Sequence, residues 1–247
     1  MGTWSIDINC DVGEGVGNEA ELFPLISSCN IACGGHAGDS QSMSEIIELA
    51  TQNGVKIGVH PSYPDKKNFG REVMDISSME LQKSLSEQLV TFDEILKQQQ
   101  GKLHHIKAHG ALYNQTAKDL GLAKTYLDTV EQYNKVVLLY VPYGSVIAKE
   151  AKKRGFPVWY EAFADRSYNE DLSLVSRKQE NALIKEPKKV LEHVLPMIKE
   201  GKVFATTGKP IQIQTETLCV HGDTASALEI LTYLSQMLPK HKVQLRP

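Results

Sequence analysis

The sequence predicts an α/β protein, an irregular (β/α) barrel of about seven parallel strands in a single domain spanning residues 1–247. Short apolar runs alternate with longer segments of helical periodicity along the whole chain. This alternation is typical of parallel strands joined by right-handed crossovers. About seven such units in one chain of 247 residues favour a closed barrel over an open sheet.

The predicted strands are short apolar runs, several of them bounded by turn-forming residues. The run at 136–141 is continuously apolar, which is typical of a strand buried on both faces. We expect strands at residues 4–10, 31–33, 55–59, 103–108, 136–141, 158–160 and 217–220.

The predicted helices have apolar residues repeating at three- to four-residue spacing, and several have recognisable ends. Ser77 and Glu80 match a capping box before the longest helix. Gly155 and Gly201 stand where two others should stop. We expect helices at residues 42–52, 120–133, 145–154, 190–199 and 225–238, and a long one that follows the capping box, runs through Leu81 to Leu96 and ends before Gly101.

The composition is that of an ordinary globular protein, with 41% hydrophobic and 23% charged residues and a net charge of −3. It contains no basic block of the kind that binds nucleic acid, no membrane-spanning apolar run and no signal peptide. We therefore expect a cytoplasmic chain that binds neither nucleic acid nor a membrane. Its four cysteines are expected to be reduced thiols, and formation of a homo-oligomer stays open.

The common nucleotide-binding motifs are missing from the sequence. Residues 11–17 are rich in glycine but do not match G-x-G-x-x-G, and a helix does not clearly follow them at once. No G-x-x-x-x-G-K-[ST] segment occurs either. Binding of ATP by this chain through the usual phosphate loop is therefore not expected.

Polar residues follow the predicted strands at the points where ligands bind in parallel α/β folds. Four of the eight histidines fall at such points. In chain order the residues are Asp11 and Glu14, His36 and Asp39, His60, Lys107 and His109, Tyr143, Glu161 with Asp165 and Arg166, and His221 with Asp223.

Several of these residues also have a purely structural interpretation. Asp39 and Asp223 each precede a helix and suit an N-cap. Arg71 and Arg166 suit either a substrate anion or the bracing of loops. Lys107 lies inside a strand, where a lysine needs a partner, and Asp11 or Glu14 could supply it. Four other histidines are expected to lie outside the site: His104, His105, His193 and His241.

Imidazoles combined with carboxylates support two kinds of chemistry. They can hold a divalent metal that polarises a carbonyl and activates water. Without a metal, they can act as general base and general acid on an amide. Both alternatives point to hydrolysis of a C–N bond.

Seven segments in one order resemble the LamB/YcsF family, the A subunit of bacterial 5-oxoprolinase, over nearly the whole chain. They are NCDVGE at 9–14, NIACGGHAGD at 30–39, HPSYPD at 60–65, FGR at 69–71, KAHGALYN at 107–114, EAFADR at 161–166 and VHGD at 220–223. The chain departs from the family at Gly35, where phenylalanine is usual, and at Ala108, where proline is common.

The resemblance implies ATP-dependent opening of 5-oxoproline to L-glutamate, with subunits B and C as partners and ATP bound with or by them. It also implies a glycoside hydrolase/deacetylase-like barrel. On this basis the expected catalytic residues are Asp11, Glu14, His36, His109 and Lys107. The expected substrate-binding residues are Arg71, Tyr113, Glu161, Arg166 and Asp39. A divalent metal would be held by Asp11, His36, His60 and His221.

Two alternatives remain open on the sequence. One is a stand-alone metal-dependent deacetylase or amidohydrolase, for which activity without ATP would be diagnostic. The other is a non-catalytic scaffold subunit, for which full activity of the partner subunits alone would be diagnostic.

Overall fold

The computed structural model describes residues 3–222 and 226–246, and within them seven parallel strands close into a barrel. The strands of the structure are β1 (Trp4–Val12), β2 (Ser28–Ala32), β3 (Lys56–His60), β4 (Leu103–Ile106), β5 (Leu138–Pro142), β6 (Val158–Phe163), β7 (Lys202–Phe204), β8 (Pro210–Gln212), β9 (Thr217–Cys219) and β10 (Val243–Leu245). Strands β1 to β6 pair in chain order, β9 follows β6, and β9 also pairs with β1. The predicted barrel is confirmed.

Helices surround the barrel and carry its crossovers. They are α1 (Glu19–Leu22), α2 (Ser40–Gln52), α3 (Ser78–Gln98), α4 (Gly110–Thr116), α5 (Leu120–Thr129), α6 (Val146–Arg154), α7 (Pro187–Glu200) and α8 (Ala227–Met237). The capping box of Ser77 and Glu80 forms at the start of α3. Gly155 and Gly201 end α6 and α7 in left-handed conformation, as predicted. Asp223 lies outside the described residues.

Three short strands and two short helices were not expected. Strands β7 and β8 form an antiparallel pair, and β10 adds in parallel to the outer part of β1. Each of these three strands has three residues, too few to show a two-residue alternation. Helices α1 and α4 have four and seven residues, too few to show helical periodicity.

The predicted ends of three strands are too early. Asp11, His60 and Glu161 lie inside β1, β3 and β6, although each follows an apolar run that suggested a strand end. A polar side chain is tolerated there because it points into the barrel, where other polar groups satisfy it.

A chain of buried hydrogen bonds fills the barrel below the mouth. Asn9 donates to Glu161 Oε1 (3.0 Å) and to Thr217 Oγ1 (2.7 Å). Asn30 donates to Asn9 Oδ1 (2.7 Å) and Asp11 Oδ1 (2.8 Å). His105, expected to lie outside the site, contacts Asn30 Oδ1 through Nε2 (2.6 Å) and thus supports the site from below.

The glycine-rich segment after β2 makes a turn that a larger residue could not make. Gly34 and Gly38 have φ of +99° and +81°. A Cβ on Gly38 would lie 2.6 Å from the Ala32 carbonyl oxygen. The chain therefore folds back tightly on the end of β2 before α2 begins.

The described cysteines are all buried free thiols, as expected. No described helix combines the length and the apolar character that a membrane crossing demands.

His193 on α7 should make folding stability depend on pH. Burial lowers the pKa of His193 to about 4, and its Nε2 is buried without a hydrogen-bond partner in the described chain. The unfolded chain binds this proton near pH 6.5, so between about pH 6.5 and 4 the unfolded state holds more protons and stability falls as pH falls. We expect the free energy of unfolding in urea to fall when the pH is lowered from 7 to 5. This fall should be about 1 to 2 kcal/mol smaller in His193→Gln than in the wild type.

The control for this measurement is the same comparison above about pH 7.5, where His193 is neutral in both states and the two proteins should share one pH dependence. Equal pH dependence in His193→Gln and the wild type would contradict the assignment.

Candidate functional site

A cavity of about 660 Å³ opens at the carboxyl ends of the barrel strands. The polar residues at its base come from five different strand ends and include Asp11, His60, Lys107, Glu161 and His221. His109 lines it as well. Most of the residues expected at the site therefore converge on one cavity, although they are far apart in sequence.

Lys107 occupies the centre of the cavity base and is fully surrounded by acceptors. Its Nζ lies 2.8 Å from Asp11 Oδ1, 2.9 Å from Glu161 Oε1 and 3.2 Å from Cys219 Sγ. Asp11 is one of the two partners expected for Lys107, whereas Glu161 takes the place of Glu14. Because an ammonium has three protons and all have acceptors here, Lys107 orients two carboxylates and has no proton left for substrate.

The ion pairs set the charge state of this centre. Burial alone would lower the pKa of Lys107, but Asp11 and other neighbours outweigh it and hold this pKa well above its usual range. Burial alone would raise the pKa of Asp11, but Lys107 and then His60 hold it well below its usual range. At neutral pH the site therefore contains an ammonium and an ionised Asp11.

Three histidines stand together on the other side of Asp11. His60 Nε2 lies 3.0 Å from His109 Nδ1 and 3.5 Å from Asp11 Oδ2. The rings of His36 and His109 stack with centroids 3.6 Å apart. His36 Nε2 contacts Glu14 Oε1 at 2.9 Å, and Glu14 Oε1 also lies 3.4 Å from His109 Nδ1.

His221, which follows β9, forms a dyad with Asp165, which follows β6. The His221 Nδ1–H donates to Asp165 Oδ1 (2.9 Å), and the His221 backbone N–H donates to Asp165 Oδ2 (3.1 Å). Because Nδ1 carries the proton, Nε2 carries a lone pair, which is the arrangement of a general base. The ligand atoms of His221, Asp11 and Cys219 all lie within 4.8 Å of one another, so base and carboxylate face the same space.

Glu161 and Tyr113 line the cavity, and each has a polar side-chain atom without a hydrogen-bond partner in the described chain. Neither Glu161 Oε2 nor the Tyr113 hydroxyl forms a hydrogen bond of good geometry within the described chain, and both residues are buried. Burial, and then the Glu161 carboxylate, raise the pKa of Tyr113 well above its usual range, so the phenol stays protonated. The pair offers one acceptor and one donor to a bound molecule.

The two arginines expected to bind substrate differ in their surroundings. Arg71 lines the cavity and lies over the Phe69 ring at 4.7 Å. Arg166 also lines the cavity, but it donates to the backbone carbonyls of Val175 (2.6 Å) and Ala182 (3.3 Å). Arg166 thus braces the long loop after β6, which was the structural alternative for it.

Three residues expected at the site do not line the cavity: Asp39, His36 and Glu14. Asp39 is exposed and caps α2, accepting from the Ser42 backbone N–H at 2.9 Å. The N-cap that the sequence suggested for Asp39 is thus observed, and its expected contact with substrate stays a prediction. His36 lies behind His109 and is directed at Glu14, because the tight turn at Gly38 brings the loop back on β2.

Four residues that contact the candidate site were missed as site residues: Asn9, Asn30, Phe69 and Asp165. Asn9 and Asn30 had a signal, since both polar residues interrupt apolar strands and must be paired when buried. Asp165 was noted at a strand end, but its pairing with His221 depends on β6 and β9 being neighbours in the barrel.

Comparison with known proteins gives one consistent family. The LamB/YcsF family model matches residues 6–247. A protein of Staphylococcus haemolyticus described as the A subunit of 5-oxoprolinase is 40% identical, with 98% of each chain covered. One of Campylobacter jejuni with the same description is 41% identical, with 98% of this chain and 97% of that chain covered.

A solved structure agrees with this match. The lactam utilization protein of Thermus thermophilus superposes with a TM-score of 0.90 at 34% identity, covering 98% of this chain and 99% of its own. The family match, the full-length relatives and this fold together give one conclusion: the chain belongs to the LamB/YcsF family.

Proposed function

We propose that this chain is the A subunit of a 5-oxoprolinase, and that with subunits B and C it hydrolyses 5-oxo-L-proline to L-glutamate at the expense of ATP. The observation that carries this proposal is the full-length similarity, at about 40% identity, to proteins described as the A subunit of 5-oxoprolinase. Convergence of Asp11, Lys107, His109, Glu161 and His221 on one cavity supports a catalytic role for this chain.

Opening the lactam requires a proton to leave the attacking water and a proton to reach the ring nitrogen. The Nε2 lone pair of His221 is placed to take the first proton, because Asp165 holds the other ring nitrogen as a donor. His221 can then return that proton to the departing nitrogen. Asp11, on the same side of the cavity, stabilises the imidazolium that forms in between.

Substrate recognition in this proposal uses three polar groups that line the cavity. Glu161 Oε2 accepts the ring N–H in this proposal, and the Tyr113 hydroxyl donates to the lactam oxygen. Arg71, at the exposed edge of the cavity, binds the substrate carboxylate. Lys107 fixes the Asp11 and Glu161 carboxylates in the orientations that these contacts need.

ATP has a clear chemical purpose in this reaction. A lactam is a resonance-stabilised amide and a poor electrophile. Transfer of the terminal phosphoryl group of ATP to its oxygen releases ADP and makes the carbon electrophilic. One water then adds to that carbon as the C–N bond breaks, and a second water releases inorganic phosphate from the acyl phosphate that results. Because the sequence contains no common phosphate-binding loop, we assign the nucleotide to the partner subunits.

Reconstitution tests the proposal. The purified chain is combined with its B and C subunits, 5-oxoproline and ATP, and glutamate is measured. Glutamate should form only with all three proteins and ATP. Glutamate formation in the absence of this chain would show that the chain is a non-catalytic scaffold. Release of acetate from N-acetylated sugars by this chain alone would show that it is a deacetylase.

A further inference from the structure

We propose that Asp11, Glu14, His60 and His109 bind one divalent transition-metal ion, at a position between the two imidazoles. The one ligand atom that each contributes lies within 4.8 Å of every other. This set replaces His36 and His221 of the expected ligands by Glu14 and His109. The binding claim stands apart from the proposed reaction, because it is measured without substrate.

The strongest support is that two lone pairs face each other. His60 Nδ1 lies 2.8 Å from the Lys107 carbonyl oxygen, and His109 Nε2 lies 2.9 Å from the Phe69 carbonyl oxygen. A carbonyl only accepts, so each of these ring nitrogens must carry the proton. The remaining nitrogens, His60 Nε2 and His109 Nδ1, are 3.0 Å apart and neither has a proton in a neutral ring.

Such a contact needs a positive centre between the two rings. The side chains are almost wholly buried, with exposures of 1% for His60 and 5% for His109, so bulk water does not screen the two lone pairs. A shared proton or a metal ion would meet the requirement. The surrounding carboxylates distinguish these choices.

Each carboxylate has an oxygen directed at this centre. Asp11 uses Oδ1 for Lys107 and Asn30 and leaves Oδ2 beside His60 Nε2 at 3.5 Å. Glu14 Oε1 lies 3.4 Å from His109 Nδ1. A shared proton can bridge only two of these atoms, whereas a metal ion can accept a lone pair from both imidazole nitrogens and both carboxylate oxygens. Two imidazole nitrogens with two carboxylate oxygens suit zinc, manganese, iron or cobalt.

The hydrogen bonds from His60 and His109 to backbone carbonyls are of the kind usual for histidine ligands at metal centres. Histidine ligands almost always donate their second N–H to a carbonyl or carboxylate, which fixes the tautomer. Here one of these carbonyls belongs to Phe69, whose φ of +56° is unfavourable for a residue with a bulky side chain. The fold accepts this strain at the residue that orients His109, and strain of this kind is concentrated at functional sites.

When bound, the ion would act as a Lewis acid and lower the pKa of a coordinated water. His36 would position two of the ligands, because its Nε2 contacts Glu14 Oε1 at 2.9 Å and its ring stacks on that of His109. His221 is not a member of this ligand set and keeps its proposed role in proton transfer.

Metal binding should be measured directly. The full chain is treated with a chelator, dialysed, and titrated calorimetrically with ZnCl₂ or MnCl₂. A parallel titration with CoCl₂ follows the visible absorption bands of the bound ion. We expect one equivalent to bind with submicromolar affinity for zinc, and His60→Gln or His109→Gln to weaken it at least about 100-fold.

His241→Gln, a histidine near the C-terminus, is the matched control and should bind as the wild type does. Thermal unfolding of the metal-free variants shows whether each remains folded, and Glu14→Gln gives a second route to the same test. Absence of stoichiometric binding in the folded wild type, or equal affinity in wild type and His60→Gln, would overturn the proposal and leave a shared proton between the rings.

Discussion

Replacing Asp11 with asparagine is expected to slow ring opening by at least about 10³-fold while leaving the barrel folded. The Asp11 carboxylate contacts Lys107, Asn30 and His60, so loss of its charge removes an ion pair and a neighbouring anion of an imidazole at once. The barrel should survive, because an asparagine oxygen still accepts from Lys107 and Asn30, and Lys107 keeps Glu161 as a counter-ion.

The measurement is glutamate formation by the reconstituted complex, with circular dichroism on the isolated chain. Asp39→Asn is the matched control, because asparagine caps a helix as well as aspartate does and Asp39 faces solvent on α2. Near-normal activity in Asp39→Asn should accompany the loss in Asp11→Asn. A fully active Asp11→Asn enzyme would remove Asp11 from the mechanism.

Replacing Asp165 with asparagine should lower kcat by about 10²- to 10⁴-fold, close to the effect of His221→Asn. The His221 backbone N–H donates to Asp165 Oδ2, so in the variant it keeps the amide oxygen and turns the amide NH₂ towards His221 Nδ1. The proton of the ring must then move to Nε2, and the lone pair of the base is lost.

This effect is separable from a loss of substrate binding. KM should change little, because Asp165 contacts His221 but does not line the cavity. The double variant should be no worse than His221→Asn alone. Asp171→Asn, on the exposed loop after β6, controls for loss of an acidic residue nearby. Additive losses in the double variant would show that Asp165 acts on something other than His221.

The barrel was predictable because its signal is distributed over the whole chain. Alternation of apolar runs and amphipathic helices identifies parallel strands without any tertiary information. The short strands β7, β8 and β10 carry no such signal, since three residues form a strand only where a neighbouring strand supplies hydrogen bonds.

The site was predictable for residues at or near the carboxyl ends of strands. Asp11, His60 and Glu161 were expected just after β1, β3 and β6 and lie inside them, and they still reach one cavity because these strand ends meet at one rim of the barrel. Residues farther along the loops are not placed in this way. His36 and Asp39 follow the same strand, yet a turn with positive φ directs one to Glu14 and the other to solvent.

The ring of strands closes through its shortest member. Strand β9 has three residues, bonds to β6 on one side and β1 on the other, and is followed two residues later by His221. The histidine cluster, by contrast, is attached to β3 and to the chain after β4. His221, the proposed general base, therefore lies next to the strand that closes the barrel. The position of His221 thus depends on the pairing of β9 with both β1 and β6, whereas the position of His60 depends on β3.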